Sequence, residues 1–389
     1  MGDIQIGIEA IGFYTTNAVF PMQELAKLRN QDFNKYQIGL MQEQMSIIAP
    51  YEDIITMAYN ATMEYLNEDD KNIVDLLLFA TESAIDNSKS AACELHSLLN
   101  LSKSCRCLEV KHACYGGTGA LMLAKNYISA NPNTKALVIM SDIAFYGLNT
   151  KGEPTQGCGA VSILVSANPK IAVFNNNNVF LTENKNDFYR PIFRSKPICD
   201  GRFSIKSYLT IFEEAFKIYN KTYTFDFLIS HMPFAKMLEK CCKIANIDVI
   251  QNENSSIQKY CKNIGNIYTA SLYVGFLSLL ENANVDLTGK KILMASYGSG
   301  CECELFSLTT LDGYKKYLNV KKHKKILSDR KILNCQEYYD FWQEFENREQ
   351  SLNWKLDCDK YKKFITNNDD LKLAEIKNGA RLYKKVLSD

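Results

Sequence analysis

Glu109-Val110-Lys111-His112-Ala113-Cys114-Tyr115-Gly116-Gly117-Thr118-Gly119-Ala120-Leu121 decides the fold. An extended lead-in runs into one cysteine, two glycines and a threonine follow, and a helical pattern then begins. The stretch reads as strand, tight turn and helix, with the Cys114 thiol near the helix N-terminus. Free backbone N–H groups and the helix dipole favour a thiolate there. A thiolate so held can accept an acyl group and pass it on. A buried structural cysteine fits the same residues, because free Cys is often buried.

The neighbouring segments extend the strand-and-helix rhythm. Residues 74–80 are apolar apart from Asp75, as in a central strand covered on both faces. A helix follows at 91–99, and strands follow at 136–140 and 160–165. Upstream, residues 4–13 read as a strand, 22–29 have helical spacing, and 53–66 form an amphipathic helix. The later chain repeats the alternation, with helices at 212–219, 235–245 and 268–280 and strands at 225–230 and 291–295. Strands alternating with helices imply α/β layers. The chain divides into an N-terminal half, 1–167, and a C-terminal half, 168–389, with a polar loop at 175–178 near the join. From about 314 it becomes a charged, helical tail. Lys315, Lys316, Lys321, Lys322, Lys324 and Lys325 in that tail read as a solvated face.

The totals exclude several classes. Lysine plus arginine (45) nearly cancels aspartate plus glutamate (44), leaving a net charge of +1 over 389 residues. That balance gives no reason to expect nucleic acid as a partner. The longest apolar stretch, 272–280, is too short to span a membrane. The thirteen cysteines have no disulfide spacing, and the Met1-Gly2 start leads into an entering strand rather than a signal peptide. Both features suggest a reducing cytoplasm. Cys105/Cys107, Cys241/Cys242 and Cys301/Cys303 lack the spacing of a zinc site, so no metal is expected.

Four histidines are present, His96, His112, His231 and His323. His231 directly follows the strand at 225–230, and ligands of α/β folds gather at such strand ends. His112, two residues before Cys114, is the alternative partner. Glu82 follows the strand at 74–80. A carboxylate left in an apolar cleft there is tuned toward a general base near neutrality. A helix N-cap is the competing reading, because Ser83, Asp86 and Asn87 share the turn. The glycine-bearing loops at 263–272 and 296–300 match neither a Walker A loop nor a dinucleotide fingerprint. They fit ordinary tight turns, or N–H donors to an oxyanion.

Ala80-Thr81-Glu82-Ser83, Ala113-Cys114-Tyr115-Gly116-Gly117-Thr118, His231-Met232-Pro233-Phe234-Ala235-Lys236-Met237, Gly265-Asn266-Ile267-Tyr268-Thr269 and Ser296-Tyr297-Gly298-Ser299-Gly300 occur in a familiar order. Together they resemble the 3-hydroxy-3-methylglutaryl-CoA synthases, over roughly residues 4–311. The resemblance implies a thiolase-like α/β fold. Its two similar βαβαβ-type halves are layered α/β/α/β/α, usually in a homodimer, with a helical C-terminal appendage. It implies Cys114 as the nucleophile that takes acetyl from acetyl-CoA and Glu82 as the base that deprotonates the bound acetyl methyl. His231 would polarise acetoacetyl-CoA, Asn266 would hold it, and the N–H groups of Cys114 and Ser299 would form the oxyanion hole. The family pattern maps Lys35, Asn149, Thr155, Ser204, Lys236 and Lys240 to substrate binding. No cofactor is implied; the partners are acyl-CoA thioesters.

Residues 7–10, 41–44 and 49–53 are similar to the branch that installs β-methyl groups on polyketides and takes acyl groups from acyl carrier proteins. Residues 153–155 and 200–201 look like the mevalonate-pathway branch, which is the favoured reading. Phe145 stands where a basic residue is expected in bacterial members.

Overall fold

The first half is built on a strand whose sequence leaves little choice. Val74–Ala80 is buried at every position but Asp75, whose carboxylate accepts from the Tyr127 hydroxyl. The computed structural model describes residues 4–365 and 367–385. It contains ten main strands: β1 (Gly7–Tyr14), β2 (Val74–Ala80), β3 (Arg106–Val110), β4 (Lys135–Ala144), β5 (Gly157–Ser166), β6 (Ala172–Phe174), β7 (Val179–Thr182), β8 (Phe227–Ser230), β9 (Lys291–Gly298) and β10 (Glu302–Thr310). Their order is β8-β9-β10-β6-β1-β5-β4-β2-β3, with β7 paired to β10.

The pairing pattern shows a duplication that residue identity does not. In the first half β1–β5 and β5–β4 are antiparallel, and β4–β2 is parallel. In the second half β6–β10 and β10–β9 are antiparallel, and β9–β8 is parallel. The halves touch where Gly7 pairs with Val173 and Ile8 with Ala172. A Cβ on Gly7 would lie 2.1 Å from the Ala172 carbonyl, so only glycine allows this seam.

Helices Gly116–Ala130 and Ser271–Asn282 share one apolar core with strands of both halves. They meet through Thr118 Oγ1 and Tyr273 OH, 2.7 Å apart. Helices Ile54–Thr62 and Ala91–Leu99 cover the other face of the first half. Helices Gly201–Tyr219 and Lys236–Ala245 pack on the second. The result is the α/β/α/β/α layering of a thiolase-like fold. Asp53 starts Ile54–Thr62 with a capping box: its side chain accepts from Ile55 and Thr56.

The tail departs from its expected helical character. It holds helices Val320–Ser328 and Cys335–Glu349 but also an antiparallel sheet of Asn353–Lys355, Lys372–Lys377 and Ala380–Lys384. Those strands are short, and a register shift between Leu373 and Glu375 sets the buried Leu373 and Ile376 three residues apart, so no apolar alternation marks them. The tail follows the second half in sequence, yet its helix Cys335–Glu349 packs on the first. Tyr338 stacks on Phe20 at 4.3 Å and Trp342 on Phe145 at 4.5 Å. Arg348 Nη1 donates to the carbonyls of Pro50 and Glu52. Phe145 is therefore a packing residue, with the Lys196 ammonium 5.2 Å from its ring centroid.

The six lysines at 315–325 are exposed, as a solvated face requires. Helix Asn254–Ile264 and strand β10 were not anticipated. Met1–Asp3, assigned to the chain's opening, and the last four residues of the tail, 386–389, lie outside the described residues. All thirteen cysteines are free. Among the described residues no helix is long and apolar enough to cross a membrane.

Candidate active site

Cys114 lies between the end of β3 and the first turn of Gly116–Ala130, as its sequence suggested. Ala113 takes a left-handed conformation, φ 41°, which reverses the chain just before the thiol. Two glycines let loops of the second half close on this turn. A Cβ on Gly117 would sit 2.7 Å from the Thr269 carbonyl, and one on Gly298 would sit 2.6 Å from Tyr115 N. The second contact brings the turn bearing Ser299 beside Cys114.

Glu82 follows β2 and is not a helix cap; Ser90 caps Ala91–Leu99 instead. A buried carboxylate to which the sequence reading gave no role holds Glu82 in place. Asp142 Oδ1 accepts from Thr81 Oγ1 at 2.9 Å, Glu82 N at 2.7 Å and Ser83 Oγ at 2.9 Å. Asp142 Oδ2 accepts from Thr269 N at 3.1 Å and Thr269 Oγ1 at 2.5 Å. One side chain thus ties the strand end bearing Glu82 to the loop bearing Asn266. Its sequence signal is a charged residue extending the apolar run 136–140.

The Cys114 thiol donates to Glu82 Oε1 at 2.9 Å. Burial, reinforced by the charge of Asp142, pushes the Glu82 carboxyl up to about 8. Burial and the adjacent Glu82 push the thiol well above its ordinary range. This corrects the expectation of a resting thiolate. Desolvation beside a carboxylate outweighs the helix dipole, and the resting group is a thiol bonded to its base.

His231 sits just past β8, its N–H bonded to the Ala295 carbonyl and its own carbonyl accepting from Tyr208 OH at 2.9 Å. Burial drives its imidazole down to about 3, so it is neutral near pH 7. Tyr208 stacks on Tyr297 at 4.3 Å, and Tyr297 OH donates to Asp187 at 2.7 Å. Asp187 also accepts from Ser204 Oγ at 3.2 Å and Gly300 N at 3.0 Å. His112 does not join the pair; its ring packs edge-on against Tyr115.

A cleft of about 1070 Å³ opens over the thiol. Its walls include Cys114, Thr155, Ser204, His231, Lys240, Asn266 and Ser299. Lys151 and Arg202 also line it and were not singled out from sequence. Glu82 stands behind Cys114. Asn266 is fixed by donating to Tyr146 OH at 3.0 Å and accepting from Tyr268 N and Ser271 Oγ at 2.9 Å each. Three expected binding residues lie off the cleft walls. Lys35 is exposed and donates to Gln31. Asn149 is exposed in a left-handed turn, φ 55°. Lys236 pairs with Glu239 at 2.6 Å. Among the described residues no group of side chains forms a metal site.

Comparisons with known proteins identify the family and the fold. The family described as "Hydroxymethylglutaryl-coenzyme A synthase N terminal" matches residues 3–170. Its C-terminal counterpart matches 177–261 and 243–368. The hydroxymethylglutaryl-CoA synthase of Enterococcus faecalis is 37% identical over 97% of this chain and 99% of its own. The polyketide biosynthesis 3-hydroxy-3-methylglutaryl-ACP synthase of Bacillus subtilis is 33% identical over 86% and 87%. An HMG-CoA synthase crystallised with CoA superposes with a TM-score of 0.91 at 34% identity, over 98% of this chain and 100% of its own. The curacin-pathway HMG synthase bound to an acetyl donor-ACP gives 0.91 at 29%, over 98% and 99%.

Proposed function

Because the chain belongs to the hydroxymethylglutaryl-CoA synthase family, we propose that it is an acyltransferase that condenses acetyl-CoA with acetoacetyl-CoA in the mevalonate pathway. The observation that carries this reading is the Cys114 thiol on the Glu82 carboxylate, 2.9 Å away, in a cleft shared with His231.

Sγ attacks the thioester carbonyl of acetyl-CoA while Glu82 receives the thiol proton. Collapse of the tetrahedral adduct breaks the bond to the CoA sulfur, which takes the proton from Glu82 and leaves as CoA, with acetyl left on Cys114. Glu82, again ionised, removes a proton from the acetyl methyl. The enolate carbon attacks the ketone of acetoacetyl-CoA, and covalent holding makes this step effectively intramolecular. Neutral His231 donates an N–H to the oxygen becoming alkoxide; a donor so placed is worth ~3 kcal/mol. The N–H groups of Cys114 and Ser299 serve the thioester oxygen. Water then cleaves the product from Cys114, so acetyl-CoA, acetoacetyl-CoA and water give HMG-CoA and CoA. Lys240, Ser204, Thr155 and Asn266 hold the substrates from the cleft wall. Lys35, Asn149 and Lys236 contact the CoA moiety outside the cleft walls.

Free CoA is favoured over a carrier protein by residues 153–155 and 200–201 and by the 37% identity to the Enterococcus faecalis synthase; the stretches similar to the polyketide branch take part in packing. Gln42 is buried and donates to the carbonyls of Gln44, Cys261 and Lys262. Tyr51 donates to the Phe364 carbonyl, and Asp53 pairs with Arg381 at 2.9 Å. A homodimer and a cytoplasmic location complete the proposal, the first on family resemblance and the second on thirteen free cysteines. The test is HMG-CoA formation from the two CoA thioesters, run against acetoacetyl carrier protein as acceptor. Turnover with CoA substrates that is lost in Glu82→Gln supports the reading; turnover only with the carrier protein overturns it.

A further inference from the structure

Glu82 is held at three points, and the third comes from a segment the reaction scheme leaves unused. Its N–H is bonded to Asp142 and its carboxylate to the Cys114 thiol. Its carbonyl accepts from Arg190 Nη2. Arg190 directly follows a two-stranded ribbon, Phe188–Tyr189 paired with Ile198–Cys199. The connecting loop is exposed, with Ile192 and Phe193 at its tip, and the ribbon's base is locked into the site. Asp187 bonds Ser204, Tyr297 and Gly300. Phe188 packs edge-on against Tyr146 and Tyr268 at about 6 Å from each ring. Arg190 is therefore delivered to Glu82 by an ordered element.

We infer that Arg190 is a positioning residue for the base: by gripping the Glu82 carbonyl it fixes the carboxylate against Cys114. This rests on the reading of Glu82 as the base. The groups facing Glu82 are Cys114, Asp142, Arg190, Tyr146 and Tyr268. Of these five, Arg190 alone is a cation. Asp142 raises the Glu82 carboxyl, and Arg190 opposes it. Removing Arg190 leaves that opposition out, so Glu82 ionises at higher pH. Arg190 does not line the cleft, so its loss acts through the base.

The test compares Arg190→Gln, Arg190→Met and Arg190→Lys with the unaltered protein. Melting temperature and the pH dependence of kcat and KM are measured for each. The neutral variants are expected to lose about tenfold in kcat, to change KM for acetyl-CoA by less than about twofold, and to shift the acidic limb of kcat to higher pH. Arg190→Lys is expected to return the limb toward its original position. Neutral variants that fold and keep the original limb overturn the inference. So does a neutral pair that fails to fold, since the side chain would then be a structural one. Failure of the base reading is separately visible: the unaltered protein would show no condensation, or Glu82→Gln would retain it.

Discussion

His231 and His323 are buried almost equally, 3% and 0% exposed, yet their surroundings drive them in opposite directions. His231 has no carboxylate partner, and burial lowers it to about 3. His323 would also be lowered by burial, but its two hydrogen bonds outweigh that and raise it to about 9. Nδ1 meets Glu281 Oε1 at 2.5 Å, and Nε2 meets Glu64 Oε2 at 2.8 Å. Both ring nitrogens of His323 are thereby committed to structure. They join the tail helix Val320–Ser328 to Ser271–Asn282 of the second half and to the turn after Ile54–Thr62 of the first. His231 keeps its ring for the cleft. A buried histidine with two acids is a staple; one without them is available for substrate.

The largest effect that can break this contrast is on activity. His231→Ala should lower condensation by at least ~100-fold, the range of a lost proton donor, while the melting temperature changes little. If it instead unfolds the protein, the two histidines are not different in kind. His323→Ala should do the reverse. It leaves Glu64 and Glu281 buried without their cation and costs about 3–5 kcal/mol in urea denaturation. Turnover per folded molecule should stay within about twofold.

Two pH measurements sharpen the comparison. His323 is raised on folding, so its contribution is complete below about 6.5 and disappears as pH rises through about 9. The stability lost across that window is on the order of 3 kcal/mol, and His323→Ala should be flat over it. His231 is lowered on folding, so the unfolded chain takes up its proton first as pH falls below 6.5. Between pH 6.5 and 5 that removes about 2 kcal/mol, and His231→Asn should abolish this part of the acid loss.

The same contrast marks what sequence could reveal. Residues 74–80 and 91–99 were legible because burial on two faces, or on one helical face, writes a plain apolar pattern. Strand β10 hides because Glu302 and Glu304 interrupt it; they are bonded to Thr182, Tyr115 and Asn178 in the fold. Cys114, Glu82 and His231 were legible from their places at strand ends and turns, and the family resemblance gave them roles. The supports of the site were not. Asp142, Tyr208 and Arg190 act through contacts across 60, 23 and 108 residues, which no local spacing records. His323 was only counted among the four histidines, because its two glutamates lie far away in the chain.

The most direct measurement is the mass of the Cys114 peptide after incubation with isotopically labelled acetyl-CoA and no second substrate. The account predicts one labelled acetyl group on Cys114, lost when acetoacetyl-CoA is added. A folded protein that carries no acetyl on Cys114 contradicts it.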